Sequence, residues 1–514
     1  MFARAFSGGV VGVDAYCIEV EVDMSGGIGQ ILIVGLPDAA VKESQERVRS
    51  AIKACSFLMP PGKKWVVNLA PCDTRKAGPA YDLPISIGIL AATGYLPTEH
   101  LSKFWLAGEL SLDGSIRAVS GVLPIAMACR ASGTPSIIVP DANADEAGLV
   151  DGLTVHPVSH LKQVCALIND PSSGAPLSAN ARDIFWRNQK TISFDYDYAD
   201  VKGQEHAKRA LEIAAAGRHN ILMVGPPGSG KSMLAQRLPS IMPPLEFAES
   251  LELTKLYSVA GLLSKTKSLV AHRPFRSPHH SASVIGLVGG GSVPRPGEIS
   301  LSHLGILFLD ELTEFPRTHL ESLRQPLETG NVTISRAQQT LTYPASFLFV
   351  AACNPCPCGH RGDPVKYCVC SPGQSERYWA RLSGPLLDRI DLHVDVGRLR
   401  EAELASTVGG ERSEIVRLRV MRAVERQRER FPENPLAYNA QLTHGQVVKL
   451  CQIDGASRSL LARAVAQLGL SARAYDRVLR VARTIADLAD SQKIESPHIA
   501  EAIRYRGNYR LQCA

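Results

Sequence analysis

Apolar and polar positions change rhythm twice along the chain. Up to about residue 170, short β-rich runs alternate with helix-like stretches. The runs are VVGVDAYCIEVEV (10–22), QILIVGL (30–36), KKWVVNL (63–69) and PSIIVP (135–140), and AAVKESQERVRSAIKAC (39–55) is spaced as an amphipathic helix. An α/β domain is predicted over 1–170. A polar, small-residue stretch follows, NDPSSGAPLSANARD (169–183), and predicts a linker over 171–190. Between 191 and 395 strands and helices alternate, the pattern of a mostly parallel sheet, with strands expected at 220–224, Ile306–Leu309 and 347–351. From 396 to 514 the pattern is helical, rich in Ala, Leu and Arg, with breaks near Pro432, Pro435 and Gly455. The expected fold class is therefore α/β with an all-α C-terminal domain.

Composition narrows this picture only a little. No run of about 18 apolar residues suggests a membrane span. The N-terminal stretch reaches Asp14 without a long apolar core, a poor secretory signal, so a cytoplasmic protein is expected. A net charge of +6 permits a nucleic-acid partner without requiring one. Of the twelve cysteines, seven stand singly and suit buried small hydrophobes; the other five crowd between 353 and 370.

Chemistry enters with Gly225-Pro226-Pro227-Gly228-Ser229-Gly230-Lys231-Ser232, which fits G-x-x-x-x-G-K-[ST]. The apolar run 221–224 precedes it as a strand and 232–238 follows as a helix. Glycines let backbone N–H groups turn inward around phosphates, and the helix N-terminus adds the positive end of a dipole. Lys231 would reach the β- and γ-phosphates of ATP, and the Ser232 hydroxyl would ligate Mg²⁺. Downstream, GILFLDE (305–311) is an apolar strand ending in two carboxylates. Asp310 would orient Mg²⁺ and its water, and Glu311 would polarise the water that attacks the γ-phosphate. Alone, the acidic pair would equally suit a helix N-terminus; beside Lys231 it points to ATP hydrolysis.

Cys356-Pro-Cys358 and Cys368-Val-Cys370 form C-x-C…C-x-C in a loop rich in Gly, Pro and Asp. Four thiolates so placed suggest structural zinc, although the usual spacing is C-x₂₋₄-C. His360 is a substitute ligand in the zinc reading, and four reduced surface thiols are the alternative. Residues 331–343 read as a hairpin turning near Gln338, with Arg336 near the tip. Arg273, Arg276, His279 and His280 form a basic cluster, and seven arginines interleave with glutamates between 412 and 430, a pattern more often solvated than bound to nucleic acid.

The chain resembles the Mg-chelatase-like AAA+ ATPases of the ComM (YifB) type. The resemblance rests on GPPGSGKS, RPFRSPHHSAS (273–283), PGEISLSHLGILFLDEL (296–312), LRQPLETG (323–330), NPCPCG (354–359) and SGPLLDRID (383–391), and runs over essentially the whole length. It implies a P-loop AAA+ αβα core with an insertion around its second helix, a helical C-terminal lid and a ring hexamer. It implies that Asn354 is the polar sensor positioning the lytic water. Arg389 is implied as an arginine finger acting on the neighbouring subunit's ATP, and Arg473 as the second sensor, with Arg480 as rival. Val201 and Gly203, in the segment before the P-loop (201–217), are implied near adenine. The hairpin and insertion are implied at the pore, making Arg336, Arg276, His279 and His280 candidate DNA contacts.

The first domain resembles the proteolytic domain of Lon over 75–92 and 107–140. Ala80 stands at the position of the Lon serine and Leu123 at that of the lysine, so neither half of a Ser–Lys dyad is present. The resemblance implies the fold without peptidase activity. The ComM-type resemblance further implies an ATP-driven DNA helicase that drives branch migration and integrates incoming DNA during natural transformation, with recombination proteins as partners. The alternatives are a chelatase motor subunit or another ATPase that remodels a protein partner.

Overall fold

Runs that are apolar on every residue form strands covered on both faces; runs that alternate form strands with one wet face. Both kinds occur. The computed structural model describes residues 1–177, 181–190, 194–263, 268–291, 294–336, 339–399, 409–431, 438–469 and 471–506. The first sheet takes β1 (Phe2–Val11), β2 (Asp14–Gly26), β3 (Ile31–Val34), β4 (Lys63–Ala70), β5 (Phe104–Leu106), β6 (Ser136–Pro140) and β7 (Thr154–Val158) in the order β3-β4-β2-β1-β5-β6-β7. β2 pairs antiparallel with β1 and β4, and the other neighbours run parallel. On β4 alternate residues Trp65, Val67 and Leu69 face the core. Helices α1 (Ala39–Ala54), α2 (Asp82–Ala92) and α3 (Val122–Ala131) cover the sheet, and all of α2 is buried. Its Asp82 carboxylate survives there because Arg47 from α1 pairs with it at 2.7 Å.

The stretch expected as a linker is a helix in its second half, α4 (Ala181–Lys190). Phe185 buries itself against Leu123, Leu149 and Leu269, with Phe247 and Leu251 alongside. Burial of one aromatic residue overrides a polar local composition.

The second sheet is flanked by α5 (Glu205–Gly217), α6 (Lys231–Ile241) and α7 (Phe247–Ala260). Its strands are β8 (Ile221–Val224), β9 (Phe275–Arg276), β10 (Ile306–Leu309), then, after the hairpin β11 (Asn331–Arg336) and β12 (Gln339–Pro344), β13 (Leu348–Cys353) and β14 (Leu392–Asp395). They run all parallel in the order β9-β10-β13-β8-β14, and β8, β10 and β13 are buried throughout. The hairpin pairs Asn331 with Pro344 through Arg336 with Gln339. The Arg336 side chain and residues 337–338 lie outside the described residues.

The C-terminal part is helical. α8 (Ser413–Arg430) buries Val416, Val420, Ala423 and Val424, and α9 (Ala472–Leu488) packs against it and against α5. Of the α8 arginines, Arg419 pairs with Glu212 and Glu411, Arg426 with Asp490, Arg428 with Glu246 and Arg430 with Asp487. The pairs with Glu212 and Glu246 bind the domain to the core, and those with Glu411, Asp487 and Asp490 lie within the helical part. At the joint, Asp391 takes His219 Nδ1 at 3.2 Å and Arg477 at 3.8 Å, while His219 Nε2 meets Thr484 of α9 at 2.7 Å. Burial opposes charge on Asp391, but the His219 hydrogen bond with Arg477 and Arg506 outweighs it and holds the carboxyl at about 2. Because this lies below the ordinary value near ~3.9, its stabilisation is present above about pH 4 and lost as pH falls toward 2. The unfolding free-energy gap between wild type and Asp391→Asn is expected to shrink by about 2–3 kcal/mol from pH 5 to pH 2. A gap that stays constant in denaturant titrations would refute the assignment.

Candidate ATP site

The site lies at the carboxyl ends of three neighbouring parallel strands. Val224 pairs with Cys353, and Leu309 with Ala351, so Gly225, Asp310 and Asn354 emerge together at one sheet edge. Parallel α/β sheets bind ligands at this carboxyl edge. Gly225 turns the chain tightly there: a Cβ on it would strike the Val396 carbonyl. Gly228 and Gly230 take φ of 77° and 91°, the left-handed region where side chains are strained.

α6 begins at Lys231, whose ammonium is bonded to the carbonyls of Gly225 at 2.7 Å and Pro226 at 2.9 Å and to Asn354 Oδ1 at 3.4 Å. Burial lowers its pKa, against the opposing pull of Cys353, Asp310 and Glu311. The Ser232 hydroxyl donates to Asp310 Oδ2 at 2.5 Å. A hydroxyl and a carboxylate oxygen at one point are the donor set a hard cation such as Mg²⁺ takes. The Ser229 hydroxyl is buried without a partner among the described residues, a donor suited to a phosphate oxygen. These residues fit Mg²⁺ and a nucleotide phosphate.

Glu311 sits at φ 50°, ψ 47°, a left-handed conformation uncommon for a residue with a side chain. Its carboxylate lies 3.7 Å from His280 Nδ1 and is 59% exposed, open to a water nucleophile. His280 lies against His279 with ring centroids 4.0 Å apart and planes tilted by 34°. The structure thus carries His280 to the acid pair as well as to the insertion. Sequence spacing gives no sign of this, because it follows from the pairing of β9 beside β10.

The remaining residues group elsewhere. Arg389 forms an ion pair with Glu328 and donates to the Pro385 carbonyl at 2.8 Å. The Glu328 carboxyl is lowered chiefly by Arg389, with Arg473 also close enough to contribute. Arg480 donates to the Ala440 carbonyl at 3.1 Å, inside the helical domain. Val201 is buried in the core and accepts from Lys208 Nζ through its carbonyl at 3.2 Å; Gly203 adopts φ 56°. Arg276 forms a twofold contact with Glu298 at 2.6 Å. Arg273 is buried against Glu249 at 2.9 Å, and its guanidinium also donates to the Pro243 carbonyl. Its apolar surroundings require the pairing. Ala80 and Leu123 are both apolar. The Leu123 amide donates to the buried Glu146 carboxylate at 2.8 Å.

The four cysteines converge. Cys356 Sγ lies 3.4 Å from Cys358 Sγ and 3.6 Å from Cys368 Sγ; Cys358 and Cys368 are 3.6 Å apart, and all four sulfurs lie within 4.8 Å of one another. Four sulfurs about 2.3 Å from a tetrahedral zinc stand about 3.8 Å apart, so the cluster fits zinc. Burial opposes ionisation of Cys358, but the amides of His360 and Val369 outweigh it and lower its pKa to about 6. His360 instead bonds Asp363, at 3.3 Å.

Three family models match the chain: "Magnesium chelatase, subunit ChlI" over residues 197–404, "Subunit ChlI of Mg-chelatase" over 20–143, and "Magnesium chelatase, subunit ChlI C-terminal" over 410–506. The chain is 44% identical to the uncharacterized protein YifB of Escherichia coli, over 98% of this chain and 96% of that protein. It is 44% identical to the competence protein ComM of Haemophilus influenzae, over 99% of this chain and 98% of that protein. To the chloroplastic magnesium-chelatase subunit ChlI of Nicotiana tabacum it is 23% identical, over 65% of this chain and 78% of that protein.

Proposed function

The chain belongs to the Mg-chelatase-like AAA+ proteins of the ComM and YifB type, and from that premise we propose that it is an ATP-hydrolysing, ring-forming DNA motor. What carries the ATPase half is the meeting of Lys231, the Ser232–Asp310 pair, Glu311 and Asn354 at one sheet edge. Lys231 neutralises charge on the β- and γ-phosphates. Ser232 and Asp310 hold Mg²⁺, which supplies charge neutralisation on the phosphates when bound. Glu311 orients the attacking water and Asn354 fixes its position. Arg389 acts across a subunit boundary in a hexamer, once released from Glu328. Arg473 or Arg480 senses the nucleotide from the lid, and Val201 and Gly203 border the adenine. The four cysteines hold zinc.

The DNA half is supported by the near full-length likeness to a competence protein. The hairpin β11–β12 and the insertion after β9 would face the strand, with Arg336, Arg276, His279 and His280 as contacts. The reading assigns helicase and branch-migration activity in natural transformation or homologous recombination, a cytoplasmic location and recombination proteins as partners. No described helix is long and apolar enough to cross a membrane. With Ala80 and Leu123 at the dyad positions, the first domain serves as a scaffold and not as a peptidase.

The likeness to the tobacco chelatase subunit favours a second reading, a motor that remodels a protein partner. ATP turnover with and without single-stranded and forked DNA separates the two. The DNA reading expects strong stimulation and strand displacement, both lost in Lys231→Ala. Neither stimulation nor DNA binding at low salt, where phosphate contacts are strongest, would sink it in favour of the protein partner.

A further inference from the structure

The loop closed by the four cysteines is not a free appendage. It leaves β13 through Asn354, and the Pro355 carbonyl accepts from Trp379 Nε1 at 3.0 Å. Gly359, at φ 80°, lies flat on the phosphate loop: a Cβ there would sit 2.7 Å from Pro227 Cδ and 3.8 Å from Asn354 Cγ. Further round, Asp363 ties His360 at 3.3 Å and Arg398 at 3.5 Å, so the loop also grips the segment after β14. Between these contacts lies a cavity lined by Gly225, Pro226, Pro355, Arg361, Asp395 and Gly397. The cluster therefore spans the ends of β8, β13 and β14, the edge on which ATP would sit.

We propose that zinc bound by Cys356, Cys358, Cys368 and Cys370 locks this loop as a brace on the catalytic edge. Its occupancy sets the positions of Asn354 and Pro227, and through them the rate of hydrolysis, with little effect on nucleotide affinity. The inference rests on the zinc and ATPase readings above. Its chemistry is positional: a short loop without a helix or strand of its own has few apolar contacts, and four metal–sulfur bonds replace them. Gly359 and Asn354 are positioning groups at the two ends of the lever, and small misplacements of such groups cost rate steeply.

The test uses the full chain. Metal content of the wild type is expected to be one zinc per chain, and Cys358→Ser/Cys370→Ser is expected to lose it. Hydrogen exchange of segments 225–232 and 348–354 then rises, with or without turnover. The turnover number falls about tenfold or more, while the Kd for a fluorescent ATP analogue stays within about twofold. Gly359→Val keeps its zinc and still loses turnover, because the clash with Pro227 breaks the brace at its far end. Tyr367→Ser, at an exposed loop position, changes neither. A metal-free wild type overturns the proposal. So does a zinc-free variant whose exchange at both segments matches the wild type, or Gly359→Val at the wild-type rate. If the zinc-loaded wild type binds nucleotide but never hydrolyses it, the ATPase reading fails; the exchange measurement still decides whether the brace exists.

Discussion

Alanine in place of Lys231 is expected to abolish measurable nucleotide binding and cut ATP turnover by about a hundredfold or more. Among the described residues the ammonium is the one cation bonded within the phosphate loop, and it touches Asn354 as well. Glu311→Gln should behave differently. Its carboxylate lies outside the loop and beside His280, so the amide should keep nucleotide affinity while losing a comparable share of turnover. Equilibrium binding of an ATP analogue and steady-state phosphate release distinguish the two. Near wild-type turnover in Lys231→Ala would refute the ATP site. Wild-type turnover in Glu311→Gln would refute Glu311 as the group that activates water.

The second large effect is on stability. Glu249 of α7 is 1% exposed and holds two buried guanidiniums, Arg273 at 2.9 Å and Arg218 at 3.3 Å. Burial opposes its charge, but Arg273 and Arg218 outweigh it and its pKa falls. Arg218 also lies over the Tyr438 ring at 4.3 Å. Glu249→Ala leaves both cations buried without their counter-charge, and the expected loss is about 3–5 kcal/mol. Denaturant unfolding measures it. A loss below about 1 kcal/mol would mean that water reaches these arginines once the carboxylate is gone.

The two results differ in how far the sequence announces them. The phosphate loop is contiguous, so strand, glycines, Lys231 and helix can be read together in one stretch of residues. The buried strands at Ile306–Leu309 and 347–351 are legible for the same reason: each is a short apolar run. Glu249 has no such signature. Its partners come from the end of α5 and the segment before β9, and only the folded sheet brings them together. The same holds for His280 beside Glu311 and for Asp391 beside His219. The helix at 181–190 was hidden by its polar flank, because Phe185 finds its partners in α3, α7 and the loop before β9. The cysteine spacing announces a cluster but not its seat on Pro227, which depends on Gly359 lacking a side chain.

One helix also bears on how such a protein can be divided. α7 carries Glu249 near its start, Lys255 in its middle and Ser258 near its end. Lys255 pairs with Asp14 at 2.6 Å, the Ser258 hydroxyl bonds Glu146, and the Ser258 carbonyl accepts from the Gly121 amide at 3.0 Å. Phe247 and Leu251 join the apolar cluster formed by Leu123, Leu149 and Phe185. The first domain and the ATPase core thus share a wall. Recombining them with foreign counterparts would leave an apolar face bare and a buried acid without its donors. A chimaera in which only one of them is exchanged is therefore expected to be less stable than the parent chain, in keeping with relatives that align over 98% of the chain or more.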